Sequence, residues 1–346
     1  MMDPATLTSN TNSSLLDLYR MMRRIRTFEE RVAELFVRGA SAGSMLHLSI
    51  GEEAAAAGVC AAMKREDTFT THHRGHGIFL ARGASPDRMM AEIGGKDSGY
   101  CRGKGGSMHI ADMALGHLGA NAIVGGGIPH VVGAGLGARQ LGRDSVAVAF
   151  FGDGAMQQGL LYESMNMVAL WRLPVLFVCI NNQYGMGTRI DRAAARVDFD
   201  AKASAFGLQA AMVDGVDVEA VRDTAQDLIN SARAGRPGFL AVSCFRFYGH
   251  GRMDKSPYRD AEEEVMGRKR DPLIAARASL IASAFADESS LNALDEEVSD
   301  EMNRALDFAV KSEIPTISSM FRDVYGPSEP EPEPLRARID RILARQ

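Results

Sequence analysis

Two short apolar segments in the middle of the chain constrain the fold more than any other feature of this sequence. Residues 145–151 (SVAVAFF) and 174–180 (PVLFVCI) are rich in β-branched and aromatic side chains, which is typical of strands buried on both faces of a sheet. The segment between them, residues 159–172, has a helical pattern. Strand, helix and strand in this order predict a right-handed β-α-β unit in a parallel sheet.

Further segments extend this unit over most of the chain. Residues 218–233 are helical in pattern and 238–247 resemble another strand, so we predict one doubly wound α/β domain over residues 15–270. Shorter helices are expected at 51–63 and 86–93 within a glycine-rich region. Residues 15–38 carry apolar side chains at helical spacing between many charges, which predicts a long amphipathic helix. We expect this helix to pack on something outside the core of its own chain.

The two ends of the chain differ in composition from this domain. Residues 1–14 form a polar leader, and residues 271–326 are predicted to form a helical C-terminal region. Residues 327–346 combine a Pro/Glu-rich spacer, which cannot be helix or central strand, with a short basic terminal helix.

Charge and cysteine usage exclude several functional classes. A net charge of -5 and a pI near 5.9 supply no electrostatic reason for binding nucleic acid or an anionic membrane. The four cysteines lie far apart without a CxxC pair, which argues against a zinc ribbon, a redox dithiol or a disulfide framework.

No apolar run approaches the ~20 residues that a membrane span needs, and the leader lacks the arginines of a transit peptide. We therefore predict a cytoplasmic protein.

Polar residues follow each of the two central strands directly. Gly152, Asp153 and Gly154 come after the first strand, and Asn181 and Asn182 follow the second, with the 26 residues 155–180 between the two motifs. Because ligands bind beyond the carboxyl ends of parallel strands, the two motifs should converge at one edge. Either motif alone would most simply be a tight turn.

Together, the two motifs predict a magnesium site. Mg²⁺ takes about six oxygen ligands and is typically held by one or two carboxylates plus substrate phosphates. Asp153, the Asn182 side chain and a backbone carbonyl near Tyr184 would supply the protein's share, and diphosphate oxygens would complete the shell.

The segment from Gly152 to Gly187 resembles the thiamine diphosphate motif, GDG followed by about thirty residues and NN. More narrowly, the chain resembles the α-subunit of the thiamine-dependent first component of pyruvate, branched-chain 2-oxo acid and acetoin dehydrogenase complexes. The likeness covers residues 15–271 and includes GEEA at Gly51, HHRGHG at His72, GKGGSMH at Gly103, GANAIVGGG at Gly119 and YGH at Tyr248. It implies a thiamine diphosphate-binding fold that uses Mg²⁺.

The resemblance also implies which residues bind the cofactor. Arg74 corresponds to the diphosphate-binding arginine. His73 replaces the tyrosine that the family often has before this arginine, and the change points towards bacterial acetoin-type sequences. The backbone of residues 122–124 would grip the aminopyrimidine ring, although Ala122 replaces the usual glycine. Met186 would lie near the cofactor, or it is a plain core methionine. The full set is Arg74, His73, Ala122, Val124, Gly152, Asp153, Gly154, Ala155, Asn182, Tyr184 and Met186.

Three histidines match family residues around the reactive thiazolium: His47, His76 and His250. A histidine there can donate to a developing oxyanion and exchange protons near neutral pH, although each taken singly could be a structural histidine. A zinc site made of His72, His73 and His76 is not supported, because no HExxH helix or cysteine partner accompanies them.

Two glycine-rich segments resemble nucleotide motifs only superficially. Residues 133–138 lack a clear preceding strand and an acidic ribose partner, so we predict a tightly packed small-residue helix. Residues 103–107 lack the GxxxxGK[ST] spacing of a triphosphate-binding loop.

The resemblance implies partners as well. The glutamate that activates the cofactor lies on a separate β-subunit, so the chain alone should be inactive. The expected assembly is a heterotetramer of two α and two β chains that delivers an acyl group to the lipoyl domain of a transacetylase core. Acetoin, pyruvate and other 2-oxo acids, including branched-chain ones, stay open as substrates. A non-catalytic regulatory homologue that binds Mg²⁺ and diphosphate is the alternative, and the joint presence of the three histidines favours the enzyme.

Overall fold

A six-stranded parallel sheet forms the centre of the molecule. The computed structural model describes residues 14–39, 45–323 and 333–344. The strands are β1 (Thr68–His72), β2 (His117–Asn121), β3 (Ala147–Gly152), β4 (Val175–Asn181), β5 (Tyr184–Gly185), β6 (Thr188–Arg189), β7 (Gln209–Asp214) and β8 (Gly238–Ser243). The sheet has the order β2-β1-β3-β4-β8-β7, and β5 and β6 form a separate antiparallel ribbon.

The predicted β-α-β unit is confirmed. β3 and β4 pair in parallel from Ala147 opposite Val175 to Gly152 opposite Ile180, and helix α6 connects them. β8 is also a strand of this sheet, but it ends at Ser243 rather than at residue 247. The backbone amide of Phe247 instead donates to the Ile50 carbonyl at 3.0 Å.

Helices cover both faces of the sheet, as predicted for a doubly wound α/β fold. The helices are α1 (Leu15–Val37), α2 (Glu53–Ala62), α3 (His76–Ala81), α4 (Pro86–Ile93), α5 (Ile128–Gln140), α6 (Gly159–Trp171), α7 (Ile190–Ala193), α8 (Phe199–Ser204), α9 (Val218–Arg233), α10 (Ala261–Arg268), α11 (Pro272–Ala282), α12 (Glu288–Lys311) and α13 (Leu335–Leu343). α2 and α9 pack on the core of one face, and α5 and α6 pack on the core of the other.

Side chains of the central strands alternate between these two cores. Val148 and Phe150 of β3 face the larger core, whereas Ala147, Ala149 and Phe151 face the smaller one. β4 and β8 alternate in the same way. This is why the strands have continuous apolar sequences: each is buried on both faces.

α1 packs on the core of its own chain, so the prediction that this helix packs on something outside that core is wrong. Its apolar stripe, which includes Met22, Ile25 and Phe28, is fully buried in the larger core against α2, α3, α11 and α12. The helix begins with a capping box between Ser14 and Asp17, which satisfies backbone amides of its first turn.

The predicted helical C-terminal region is present, and it belongs to the same core. α11 and α12 bury their apolar faces with α1, and α13 is exposed along its length. Most of the leader and residues 327–332 of the spacer lie outside the described residues. The division at residue 270 therefore stays a proposal about sequence regions.

Three strands of the six-stranded sheet escaped sequence reasoning, β1, β2 and β7, as did the short β5–β6 ribbon. β2 and β7 are the edges of the sheet, and all three have polar, glycine or alanine residues where the central strands are apolar. β2 also precedes α5, so the statement that no strand precedes residues 133–138 is wrong. Those glycines nevertheless lie within α5 rather than in the turn before it, and Gly135 packs closely on Val175.

None of the helices in the described ranges combines the length and the apolar character that a membrane crossing requires.

Candidate cofactor and metal site

The carboxyl ends of β3 and β4 bring the two polar motifs together. Gly152 lies opposite Ile180 in the sheet register, so Asp153 is level with Asn181 and one residue short of Asn182. Asp153 is 1% exposed and Asn182 is 7% exposed. Both side chains are therefore held at one edge of the sheet and almost out of contact with water.

Asp153 has one oxygen without a partner. Its Oδ2 is buried and has no hydrogen-bond partner among the described residues. Burial, with a smaller contribution from nearby Glu52, raises the pKa of Asp153 to about 7, although Arg246 and Arg74 oppose the shift. A buried carboxylate oxygen without a donor is costly, and a bound cation would remove that cost.

Asn182 and Tyr184 lie beside this carboxylate. The Asn182 side-chain Nδ2 donates to Glu52 Oε1 at 2.7 Å, and its Oδ1 accepts from the backbone amide of Tyr184 at 3.2 Å. The Tyr184 phenol donates to Glu263 at 2.8 Å, so only its backbone is a candidate metal ligand. A Cβ atom on Gly154 would lie 3.6 Å from the Gly185 Cα, which shows that the β5–β6 ribbon abuts the turn containing Asp153.

Arg74 supplies a buried positive charge at the same edge, two residues after β1. It is 2% exposed and donates to the backbone carbonyls of Leu48 at 2.7 Å and His250 at 2.8 Å. Burial and the neighbouring Arg246 lower the pKa of Arg74 to about 10, although Glu52 opposes this. The guanidinium is still charged at neutral pH, as an anion site requires.

His47, His73 and His250 form a cluster next to Arg74. Their ring centroids are 4.6 to 5.4 Å apart, and their candidate ligand nitrogens lie within 4.8 Å of one another. Burial, reinforced by Arg74, lowers the pKa of His47 to about 3 and that of His250 to about 4, and it also lowers the pKa of His73. The rings are thus neutral near pH 7 and can donate and accept hydrogen bonds.

Of the three histidines considered as a zinc site, His72 and His73 have ring centroids 5.3 Å apart, whereas His76 lies elsewhere. His73 joins His47 and His250 instead of His76. Three neutral imidazoles could ligate a transition metal, but the buried guanidinium of Arg74 beside them disfavours a dication. The cluster is better suited to a polar or anionic ligand.

His76 lies apart from this cluster, with both ring nitrogens engaged. Nδ1 is 3.0 Å from Glu29 Oε2, and Nε2 is 3.0 Å from Ser107 Oγ. Although burial lowers the pKa of His76, Glu29 raises it above its usual value. This arrangement does not favour direct contact between His76 and a reacting group.

The loop matched to the aminopyrimidine contact, and Met186, lie at the surface. Ile123 and Val124 are exposed and Ala122 is half-buried, in the loop after β2. Met186 is 65% exposed and has a φ of 55°, a strained conformation for a non-glycine residue. An exposed methionine is not a plain core residue. Around Asp153, Gly152 and Gly154 are half-buried and Ala155 is buried.

Sequence reasoning missed Glu52 and Arg246. Arg246 is almost fully buried and donates to the carbonyls of Tyr248 and Met186 and to the Tyr258 hydroxyl. A signal was present in both cases: Arg246 interrupts an apolar strand-like segment, and Glu52 belongs to a glutamate pair before an alanine-rich helix. Charged residues in such apolar surroundings are rare unless they are paired.

These residues fit Mg²⁺ with a diphosphate. The ligands available are hard oxygen atoms, which Mg²⁺ prefers, and the buried Oδ2 of Asp153 and Oε2 of Glu52 have no partner among the described residues. Arg74 provides the guanidinium that a phosphate prefers. The donor set therefore suits a magnesium-bound diphosphate better than a softer metal.

Comparison with known proteins identifies the family of the chain. The model of the dehydrogenase E1 component family matches residues 19–318. The α-subunit of acetoin:2,6-dichlorophenolindophenol oxidoreductase from Bacillus subtilis (strain 168) is 41% identical, over 92% of this chain and 95% of the relative. The α-subunit of the pyruvate dehydrogenase E1 component from Rhizobium meliloti (strain 1021) is 39% identical, over 89% of each chain. A Cupriavidus necator acetoin:2,6-dichlorophenolindophenol oxidoreductase α-subunit is 41% identical, over 90% of this chain and 94% of the relative.

Proposed function

Because this chain belongs to the dehydrogenase E1 component family, we propose that it is the α-subunit of a thiamine diphosphate-dependent dehydrogenase complex. The reaction proposed is cleavage of acetoin or decarboxylation of pyruvate, with transfer of the acyl group to a lipoyl carrier. The observation that carries the proposal is the buried set of Asp153, Asn182 and Arg74 at one edge of the sheet. The names of the relatives support the two substrates.

Three groups of the chain would hold Mg²⁺: the Asp153 carboxylate, the Asn182 side-chain oxygen and the backbone carbonyl of Tyr184. Arg74 and His73 would bind the diphosphate. The small residues around Asp153, which are Gly152, Gly154 and Ala155, would allow the backbone to approach the diphosphate closely. Ala122 and Val124, in the loop after β2, would contact the rings of the cofactor together with Met186.

When bound, thiamine diphosphate supplies a carbon nucleophile and an electron sink for the cleaved bond. The chain's part is to orient it and to move protons. His47 and His250 are neutral near pH 7 because burial lowers the pKa of each ring, so each can donate to a developing oxyanion. For His76 we propose a positioning role, since both of its nitrogens bond within the chain.

A β-subunit is part of the proposal. It would provide the activating glutamate and cover Ile123, Val124 and Met186, which are apolar and exposed beside the site. The proposed assembly is a heterotetramer of two α and two β chains that serves a lipoyl-bearing transacetylase core. A cytoplasmic location is proposed as well, in keeping with four cysteines that are all free thiols.

Calorimetric titration of thiamine diphosphate tests the site. The chain co-expressed with its β-subunit should bind the cofactor tightly only when Mg²⁺ is present. Asp153→Ala should abolish this magnesium-dependent binding. Asp144→Ala, which removes an exposed carboxylate three residues before β3, at the opposite end of the strand from Asp153, serves as the control. Failure of the wild-type assembly to bind the cofactor would overturn the proposal.

Turnover then separates the remaining candidates. Acetoin, pyruvate and branched-chain 2-oxo acids are compared with an artificial electron acceptor, using the chain alone and with its β-subunit. The assembly should be active and the chain alone inactive. Tight binding by the assembly without turnover of any substrate would favour the non-catalytic regulatory homologue.

A further inference from the structure

Two adjacent glutamates at the start of α2 have different environments although both are buried. Glu53 contacts the Arg26 guanidinium and accepts from the Gly51 backbone amide at 3.0 Å. Arg26 also pairs with Asp271 at 3.0 Å. The charge of Glu53 is thus compensated by a cluster that ties helices together.

Glu52 has no cation in direct hydrogen-bonding contact. It is 2% exposed, and its Oε1 accepts from Asn182 Nδ2 at 2.7 Å. The nearest cationic atom is Arg74 Nε, 3.8 Å from Oε1, and the other nitrogens of Arg74 donate to backbone carbonyls. Oε2 of Glu52 is buried without a partner among the described residues. The short hydrogen bond that Glu52 accepts therefore comes from Asn182, a residue of the candidate metal site.

A local structural role does not account for this placement. Glu52 is the residue before the first turn of α2, where a carboxylate often accepts from helix amides. Its side chain makes no capping hydrogen bond to that helix. The carboxylate is turned toward Asn182 instead.

The contact decides which end of the Asn182 amide faces the site. An ionised carboxylate only accepts hydrogen bonds, whereas the amide has a donor nitrogen and an acceptor oxygen. Glu52 therefore holds the Asn182 nitrogen, and Oδ1 is turned to the other side, toward the backbone amide of Tyr184. Only the oxygen can ligate Mg²⁺, so a flipped amide would remove a ligand.

We infer that Glu52 is a positioning residue that fixes the Asn182 amide in the metal-binding orientation and so sets the affinity for magnesium. The inference rests on the proposed function, because it assigns Asn182 to the magnesium shell. The buried Oε2 of Glu52 and Oδ2 of Asp153 both lack a partner among the described residues, so the two carboxylates together favour a divalent cation over an unfilled site.

The test compares Glu52→Met, which keeps the length of the side chain without an acceptor, with Glu52→Gln, whose carbonyl can still accept from Asn182. Magnesium is titrated into the assembly with its β-subunit at saturating thiamine diphosphate, and cofactor binding is followed by calorimetry. Loss of a partner that orients a metal ligand typically weakens binding about 10–100-fold. We expect a magnesium affinity reduced by that factor in the Met variant and largely restored in the Gln variant.

Two further variants distinguish positioning from general damage. Glu53→Gln changes the neighbouring buried glutamate and should lower thermal stability without changing the magnesium affinity. In an Asn182→Ala background, Glu52→Met should change that affinity by less than about twofold, because contributions that act through one residue are not additive.

The outcomes separate this inference from the proposed function. Magnesium-dependent binding that is lost in Asp153→Ala but unchanged in Glu52→Met would overturn the inference and leave the function standing. If Glu52→Gln binds magnesium as weakly as a folded Glu52→Met variant, the orienting role of the hydrogen bond is overturned. Absence of magnesium-dependent binding in the wild type would overturn both.

Discussion

Asp153 is buried at the end of β3 with one carboxylate oxygen that lacks a partner among the described residues. Burial raises its pKa to about 7, above the usual 3.8 of aspartate, so the protonated form is favoured below about pH 7 when no cation is present. By linkage, the stability that this proton confers is fully present below the ordinary pKa and is lost as the pH rises through about 7. A metal ion must therefore displace a proton at lower pH.

The affinity for magnesium should depend on pH accordingly. We expect the apparent affinity, measured by calorimetry with thiamine diphosphate, to fall about tenfold per pH unit below about pH 7 and to level off above it. Glu52, whose pKa is also raised by burial, would steepen the slope. Asp144→Asn, at an exposed carboxylate, should leave the profile unchanged. A flat profile across neutral pH would contradict the role of Asp153.

At the scale of elements, the turn into α2 packs against the segment that follows β8. The amide of Phe247 donates to the Ile50 carbonyl, and Gly51 follows with a φ of 99°. A Cβ atom on Gly51 would lie 1.9 Å from the Phe245 carbonyl oxygen. Only glycine allows two backbone segments to approach this closely.

Gly51→Ala should therefore destabilise the protein. Backbone strain alone costs about 1–3 kcal/mol at such a position, and the overlap with the Phe245 carbonyl adds to it. Chemical denaturation would measure the loss in the free energy of unfolding. Gly159→Ala, where the new methyl group would have only an ordinary contact at 3.7 Å, should stay within about 1 kcal/mol of the wild type. Equal stability of the two variants would contradict this account of the turn.

At the scale of the whole molecule, one buried ionic cluster joins distant parts of the chain. Arg26 of α1 contacts Glu53 of α2 and Asp271, which caps α11. Burial alone lowers the pKa of Arg26, but the two carboxylates raise it above its usual value. The first helix, the sheet domain and the C-terminal helices are thus connected by charges that depend on one another.

Arg26→Met should destabilise the whole fold by about 3–5 kcal/mol, because it leaves two buried carboxylates without their cation. Thermal unfolding would show one transition at a lower temperature. Arg20→Met breaks only the surface pair with Glu297, whose side chains are 43% and 61% exposed, and it should cost less than about 1 kcal/mol. A cost for Arg26→Met no larger than for Arg20→Met would show that the cluster does not hold these parts together.

Local sequence patterns were sufficient for the centre of the fold and for part of the candidate site. Residues 145–151 and 174–180 are apolar because both faces of β3 and β4 are buried, and that burial is visible as an uninterrupted run. Asp153 and Asn182 directly follow these strands, so the parallel topology alone brings them to one edge. The weaker strands β1, β2 and β7 were missed because pairing with neighbours, rather than their own composition, makes them strands.

The sequence by itself determined the β-α-β centre, the family resemblance and the position of the polar residues that end the central strands, since each of these is encoded within a short segment. The tertiary structure alone decided that α1 belongs to the core, that His73 meets His47 and His250 while His76 bonds to Glu29, and that Glu52 reaches Asn182. These partners are far apart in the chain. A buried polar side chain shows in the sequence that it needs a partner, but only the folded backbone determines which one it meets.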